Sequence, residues 1–201
     1  MSELTVLQAV RLKGRVSRDD LAATLGEDAD DVAGTVDRLT RTGLLIDGNT
    51  LRLSPDGRVR LDELLADERR HVDRAALCAA YGDFRAVNTE FKALVADWQL
   101  KDGQPNTHED TDYDATVLAR LDNVHRQVTP IVAAAAAQLS RLSRYSAKLQ
   151  AALDKIHAGE SIWLSRPIID SYHTVWFELH EELILAAGLT RESEAKCGHA
   201  E

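Results

Sequence analysis

The stretch that most limits the fold is LLIDGNTLRLS, Leu44 to Ser54, where the hydrophobic period changes from helical to alternating. Two short alternating runs flank Gly48-Asn49, a pair that tolerates positive φ, and the pattern predicts a small β-hairpin. Three short helices are predicted before it. Leu4, Val6, Leu7 and Val10 recur at helical spacing up to Lys13-Gly14. Ser17 stands as an N-cap with Asp20 three residues on, and Leu21, Ala22 and Leu25 carry a second helix to Gly26. Asp28 or Asp30 caps a third, whose buried stripe is Val32, Val36, Leu39 and Leu44, with Gly43 at its end. After the hairpin, Ser54-Pro55-Asp56 opens another helix with proline in its first turn. Three helices and then a hairpin are the sequence outline of a winged helix-turn-helix with a short β-hairpin wing.

On the spacing in VDRLTRTGLLID and in the LSPDGRVRLDELL passage, residues 1–68 resemble the winged-helix domain of MarR-type bacterial regulators. The resemblance covers about a third of the chain. It implies that double-stranded DNA is the partner, that the protein is a homodimer, and that it regulates transcription.

In a helix-turn-helix the second helix enters the major groove. Here its outward positions are Asp30, Asp31, Gly34, Thr35, Arg38 and Arg41. Arg18, Arg38, Arg41, Arg52, Arg58 and Arg60 are the candidate phosphate contacts, and Thr35 joins them as a candidate at the DNA surface. Residues 1–60 hold 9 Lys+Arg against 10 Asp+Glu, whereas residues 61–201 hold 15 against 23. Only the N-terminal part can approach a polyanion without strong repulsion.

Beyond residue 68 the chain reads as an all-α domain of long helices, residues 69–190, with a polar tail over 191–201. One helix is predicted from Pro55 to Leu100, with Leu77, Tyr81, Phe84, Phe91, Leu94, Val95 and Trp98 on one face. After the polar loop KDGQPNTHEDTD, a second helix starts near Asp112, and Pro130 is expected to bend or interrupt it. A third runs through the alanine run to Ile156, and the last from Arg166-Pro167 to Ala187.

Several polar groups stand where this periodicity asks for apolar ones. Asn88 lies within the apolar arc of the first long helix. Asp114 and His125 edge the stripe of the second. On the last helix, at about 100° per residue, His173 and His180 fall on the packed face beside Trp176, while Glu178, Glu181 and Glu182 point towards solvent. Buried polar groups must be paired, so Asn88, Asp114, His125, His173, Trp176 and His180 form a candidate ligand seam. The alternative is a set of polar groups satisfied within a core or dimer seam. The two histidines are seven residues apart, about 10.5 Å of rise, and cannot by themselves chelate one ion. The helical domain also resembles the FCD ligand domain of the GntR family, in which an Asp and a His four apart on one helix help hold a metal beside an organic acid. Here Asp114 and His125 are eleven apart, and no metal and no cofactor is expected. Arg141, Arg144 and Lys148 make a basic stripe beside Tyr145, either an anion site for a ligand such as an acyl-CoA or a solvated face paired with nearby acids.

Catalytic motifs are absent: there is no GxSxG, no Gly-rich phosphate loop and no HExxH, since position 184 after His180 is isoleucine. The two cysteines, Cys78 and Cys197, form no metal motif and are read as plain thiols. MSELTVLQAV has no export-signal pattern and no apolar run reaches about 18 residues, so a cytoplasmic protein without a membrane partner is expected. The combined expectation is a mainly α regulator, not an enzyme, sensing a small organic acid or acyl-type effector. The rival reading is a winged-helix adaptor or regulatory subunit that binds a protein partner instead of DNA.

Overall fold

The computed structural model describes residues 1–196, with two compact units dividing after Val72. The chain is mainly helical. No described helix is long and apolar enough to cross a membrane.

The first unit contains α1 (Glu3–Lys13), α2 (Arg18–Leu25), α3 (Ala29–Arg41), β1 (Leu45–Ile46), β2 (Arg52–Leu53) and α4 (Pro55–Arg69). Side-chain caps start the helices: Ser17 Oγ accepts from Asp20 N–H, Asp28 from Asp30 and Asp31, and Ser54 from Gly57. Gly26 ends α2 in the left-handed region, as a glycine does most readily. Val6, Leu7, Val10, Leu21, Val36, Leu39 and Leu51 are wholly buried and form this unit's core.

The hairpin differs from the two-residue turn predicted at Gly48-Asn49. Ile46 pairs with Arg52 and Leu45 with Leu53, so five residues separate the strands. The reason is Leu51, which leaves the hairpin to pair with Val16: Leu51 N–H donates to Val16 O at 2.8 Å and Val16 N–H to Leu51 O at 3.3 Å.

The second unit contains α5 (Arg74–Gln99), β3 (Leu100–Lys101), β4 (Gln104–Pro105), α6 (Thr111–Gln138), α7 (Arg144–His157), α8 (Tyr172–Ala186) and α9 (Arg191–Lys196), with 3-10 turns at Ser140–Ser143 and Ser161–Trp163. The pairs Asp97–Arg120 and Glu90–Gln127 run in opposite order along α5 and α6, which are therefore antiparallel.

Four helix boundaries depart from expectation. The helix foreseen from Pro55 to Leu100 is two, because Arg70 closes α4 and Asp73 caps α5 by accepting from Ala76 N–H. Pro130 lies inside α6 without interrupting it, on a side of the helix where both Pro130 and Arg126 are exposed. The alanine-run helix stops at Gln138, where Leu139 turns extended (φ −129°, ψ 88°). Ile168 adopts φ 77°, which no helix can continue, and the last long helix starts only after Ser171, whose Oγ accepts from Thr174 N–H. Of the tail, residues 191–196 form α9, with Glu194 buried; Cys197 and the rest lie outside the described residues.

Candidate ligand site

Asn88 sits in the middle of α5's inner face, between Phe84 and Phe91, and is 5% exposed. A buried amide is costly unless bonded. The bond comes from α8: Trp176 Nε1–H donates to Asn88 Oδ1 at 2.9 Å. Around it the rings pack closely, with Phe91 4.4 Å and Phe84 5.0 Å from Trp176, centroid to centroid.

One turn further along α8, His180 meets Tyr81 at 3.3 Å through Nε2, and Tyr81 O–H donates to Glu194 at 2.6 Å. Since the phenol spends its hydrogen on the carboxylate, its oxygen can only accept from His180. The imidazole therefore carries its proton on Nε2. Burial drives His180 from an ordinary 6.5 to about 4; Glu181 and Glu194 pull upward, and Arg191 and Lys92 press downward. Burial, and then the bond to Glu194, raise the Tyr81 phenol.

Between α5 and α8 lies a cleft of about 700 Å³, lined by Asn88, Phe91, Lys92, His173, Trp176, Phe177, His180 and Arg191, among others. Four of the six residues predicted as a ligand seam, Asn88, His173, Trp176 and His180, thus share one space. His173, expected on the packed face, is exposed. Asp114 and His125 line other places. Asp114 accepts from Asn106 Nδ2 at 2.9 Å and contacts His108 Nδ1 at 2.9 Å, which pins the loop after β4. His125 Nδ1 meets the Tyr172 hydroxyl at 3.1 Å, and burial lowers its basicity. No group of three or more metal-ligating side chains stands together among the described residues.

The three glutamates expected in solvent are buried: Glu178 is 3%, Glu181 7% and Glu182 0% exposed. Their partners include the basic stripe. Arg141 reaches Glu182 at 2.5 Å, Arg144 lies 3.6 Å from it, and Tyr145 O–H donates to it at 3.4 Å. Lys148 sits 2.9 Å from Asp170 and 3.7 Å from Glu178. Glu181 pairs with Arg191, whose guanidinium lies 4.5 Å over the Phe177 ring. Acids at 178 and 182 facing bases at 141, 144 and 148 share helical spacing, and that match was the available signal.

In the first unit, Arg18 is held by Asp37 at 2.8 Å and Asp47 at 2.5 Å. Glu3 binds Arg38 at 3.3 Å and Arg60 at 2.8 Å. Burial opposes ionisation of Glu3, but the bonds from Arg60 and Arg38 outweigh it and keep the carboxyl below its ordinary value. Thr35, expected to face outward, is buried, and its hydroxyl donates to Asp31 O at 3.2 Å. Arg41, Arg52 and Arg58 are exposed and make no ion pair among the described residues.

The chain matches no protein-family model, no curated protein and no solved structure. Its chemistry must be read from these groups. The cleft joins aromatic walls to Lys92, to Arg191 in its pair with Glu181, and to the imidazoles of His173 and His180, an arrangement suited to binding.

The imidazole also makes a pH prediction. Unfolded, His180 takes a proton near 6.5; folded, it resists until about 4. Between these values the unfolded chain binds more protons, so stability falls as pH drops through the window and is constant above it. Urea unfolding at pH 7 and pH 4.5 will show the wild type losing on the order of 2 kcal/mol more than a His180→Phe variant. Equal losses would mean that His180 is not held neutral.

Proposed function

We propose that the chain is a bacterial-type transcriptional regulator: residues 1–72 are a MarR-like winged helix that binds double-stranded DNA, and the helical unit supplies the homodimer contact and senses a small effector. The observation that carries this reading is the pairing of Val16 with Leu51. A bridge at Val16 between α1 and α2, then α3, the β1–β2 hairpin and α4, supports this reading, on which α3 is the helix that enters the major groove. On this reading Arg41 of α3, Arg52 of β2 and Arg58 of α4 meet phosphates. Arg18, Arg38 and Arg60 contribute only after exchanging carboxylate partners. Effector binding acts by population shift, favouring one spacing of the two winged helices. The protein works in the cytoplasm and without catalysis.

Fluorescence anisotropy with duplex DNA from upstream of the protein's own gene, across a salt series, tests the reading. Each lost phosphate contact reduces the log–log salt slope by about 0.9. The Arg41→Ala, Arg58→Ala double variant will therefore flatten the slope by about 2 per bound winged helix. Absent or salt-insensitive binding at low salt sinks the proposal.

One observation favours the rival adaptor reading: the first turn of α3 exposes Asp30 and Asp31 after the Asp28 cap. Carboxylates repel phosphates and would suit a basic protein surface, although an acid can also accept from cytosine N4. A stoichiometric co-purifying protein, with no DNA bound, would select the adaptor.

A further inference from the structure

We propose that the cleft between α5 and α8 binds an uncharged aromatic molecule carrying one hydrogen-bond donor, an indole-type N–H or a phenolic O–H, with that donor on His180 Nδ1 and the ring beside Phe91, Trp176 and Phe177. The inference deepens the sensor reading above, on which it rests, by naming what the helical unit senses.

His180 supplies the first argument. Tyr81 gives its hydrogen to Glu194 at 2.6 Å and can only accept from the imidazole, which puts the ring's proton on Nε2. A neutral imidazole of this form keeps a lone pair on Nδ1, and burial holds the ring neutral by moving it from 6.5 to about 4. Nδ1 has no hydrogen-bond partner among the described residues, although His180 is only 7% exposed. A buried acceptor is costly while unbonded. His180 lines the cleft, and with Nε2 spent on Tyr81, Nδ1 is the atom it can offer a molecule there. That offer is to a donor.

The rings are the second argument. Eleven of the 15 residues of α8 are buried, and its two exposed positions, His173 and Phe177, both line the cleft. They stand at i and i+4, so a single stripe of an otherwise enclosed helix opens into this space. Phe177 is 43% exposed, while the glutamates of the same helix are buried. Phe91 and Trp176 line the cleft too, and an aromatic guest gains from such rings beyond the area it buries. Water can meet the nitrogen, but only a ring-bearing molecule meets the nitrogen and Phe177 together. Charge points to a neutral guest. Lys92 and Arg191 both have partners, Glu181 in the case of Arg191, and no carboxylate is among the lining residues, so no lining charge is left to demand a counter-ion. Size agrees: about 700 Å³ lies within the roughly 300–1,000 Å³ of small-molecule sites.

Isothermal titration of the full chain with indole, and separately with benzofuran, which has the same shape with oxygen in place of the N–H, tests this without DNA present. Indole is expected to bind about tenfold more tightly, the worth of one buried hydrogen bond. His180→Phe keeps a ring, loses the acceptor and is expected to bring the two to equal affinity. Ala93→Trp, at an exposed lining position of α5, fills the cleft without burdening the core and is expected to abolish binding of both. Nitrogen NMR of the wild-type His180 ring will show Nδ1 without a proton, and its signal will move with indole and not with benzofuran. Equal affinity of the wild type for the two rings, no binding of either, binding that survives Ala93→Trp, or a proton on Nδ1 would overturn the proposal. Because DNA is absent, such a result leaves the salt-dependent DNA measurement standing on its own, and a failure to bind DNA leaves the titration readable.

Discussion

Glu182→Ala is expected to lower the unfolding free energy of the helical unit by about 3–5 kcal/mol, the cost of leaving a buried charge without its partner. Glu182 is fully buried, and the Arg141 side chain facing it at 2.5 Å is only 9% exposed. Arg144 and the Tyr145 hydroxyl lose the same acceptor. A domain's whole stability is about 5–15 kcal/mol, so the variant will sit near its threshold. Urea unfolding followed by tryptophan fluorescence gives the measurement, since Trp98, Trp163 and Trp176 all lie beyond residue 72. The double variant Arg141→Leu, Glu182→Leu will recover most of the loss, because a buried ion pair replaced by packed apolar groups is often neutral or better. A single-variant loss below about 1 kcal/mol would show that the pair behaves as a surface contact.

Gly57→Ala is expected to damage the first unit by about 3 kcal/mol or more, beyond ordinary overpacking. A Cβ at this position would stand 2.0 Å from the carbonyl oxygen of Leu44. That carbonyl cannot easily withdraw, for it accepts from Ser54 N–H and Ser54 Oγ, both at 3.1 Å, which fix the start of α4 to the residue just before β1. Circular dichroism melts of the full chain will show an early partial loss of helix that the wild type lacks, while tryptophan fluorescence, which reads only the second unit, does not follow that early step. An unchanged melt would mean that α4 does not approach Leu44 so closely.

What the sequence made legible was local. Ser17, Asp28 and Ser54 announce their helices because a cap is chemistry within three residues. Asn88 was visible as a polar interruption of an apolar arc, and the structure gives it the partner that burial demands. The helix break at Arg70–Asp73 and the late start of α8 were hidden, because a cap at Asp73 or Ser171 is one weak signal inside a stretch that is otherwise helix-compatible. The glutamates of α8 were misread for a different reason. A carboxylate defaults to water unless a cation elsewhere in the chain is held against it, and Arg141 and Lys148 arrive from the Ser140–Ser143 turn and from α7, about 30 to 40 residues earlier in the chain. Asp114 and His125 were correctly seen as needing partners, but their partners, Asn106 with His108 and the Tyr172 hydroxyl, lie apart from each other, so one imagined seam became three places.

Leu51 has a consequence for how far the β1–β2 hairpin can reach. Its backbone is committed to Val16 and its side chain is fully buried, and Arg52 and Leu53 are paired in the strand. Only Asp47, Gly48, Asn49 and Thr50 remain to adapt, and Asp47 is itself tied to Arg18. A slip of one residue would turn Leu51 and Leu53 outward, so the hairpin cannot lengthen its tip by sliding. The tip is a short, cation-free finger on a fixed knuckle: whatever surface this unit meets, the helices must choose the footing, and the finger can only rest beside it.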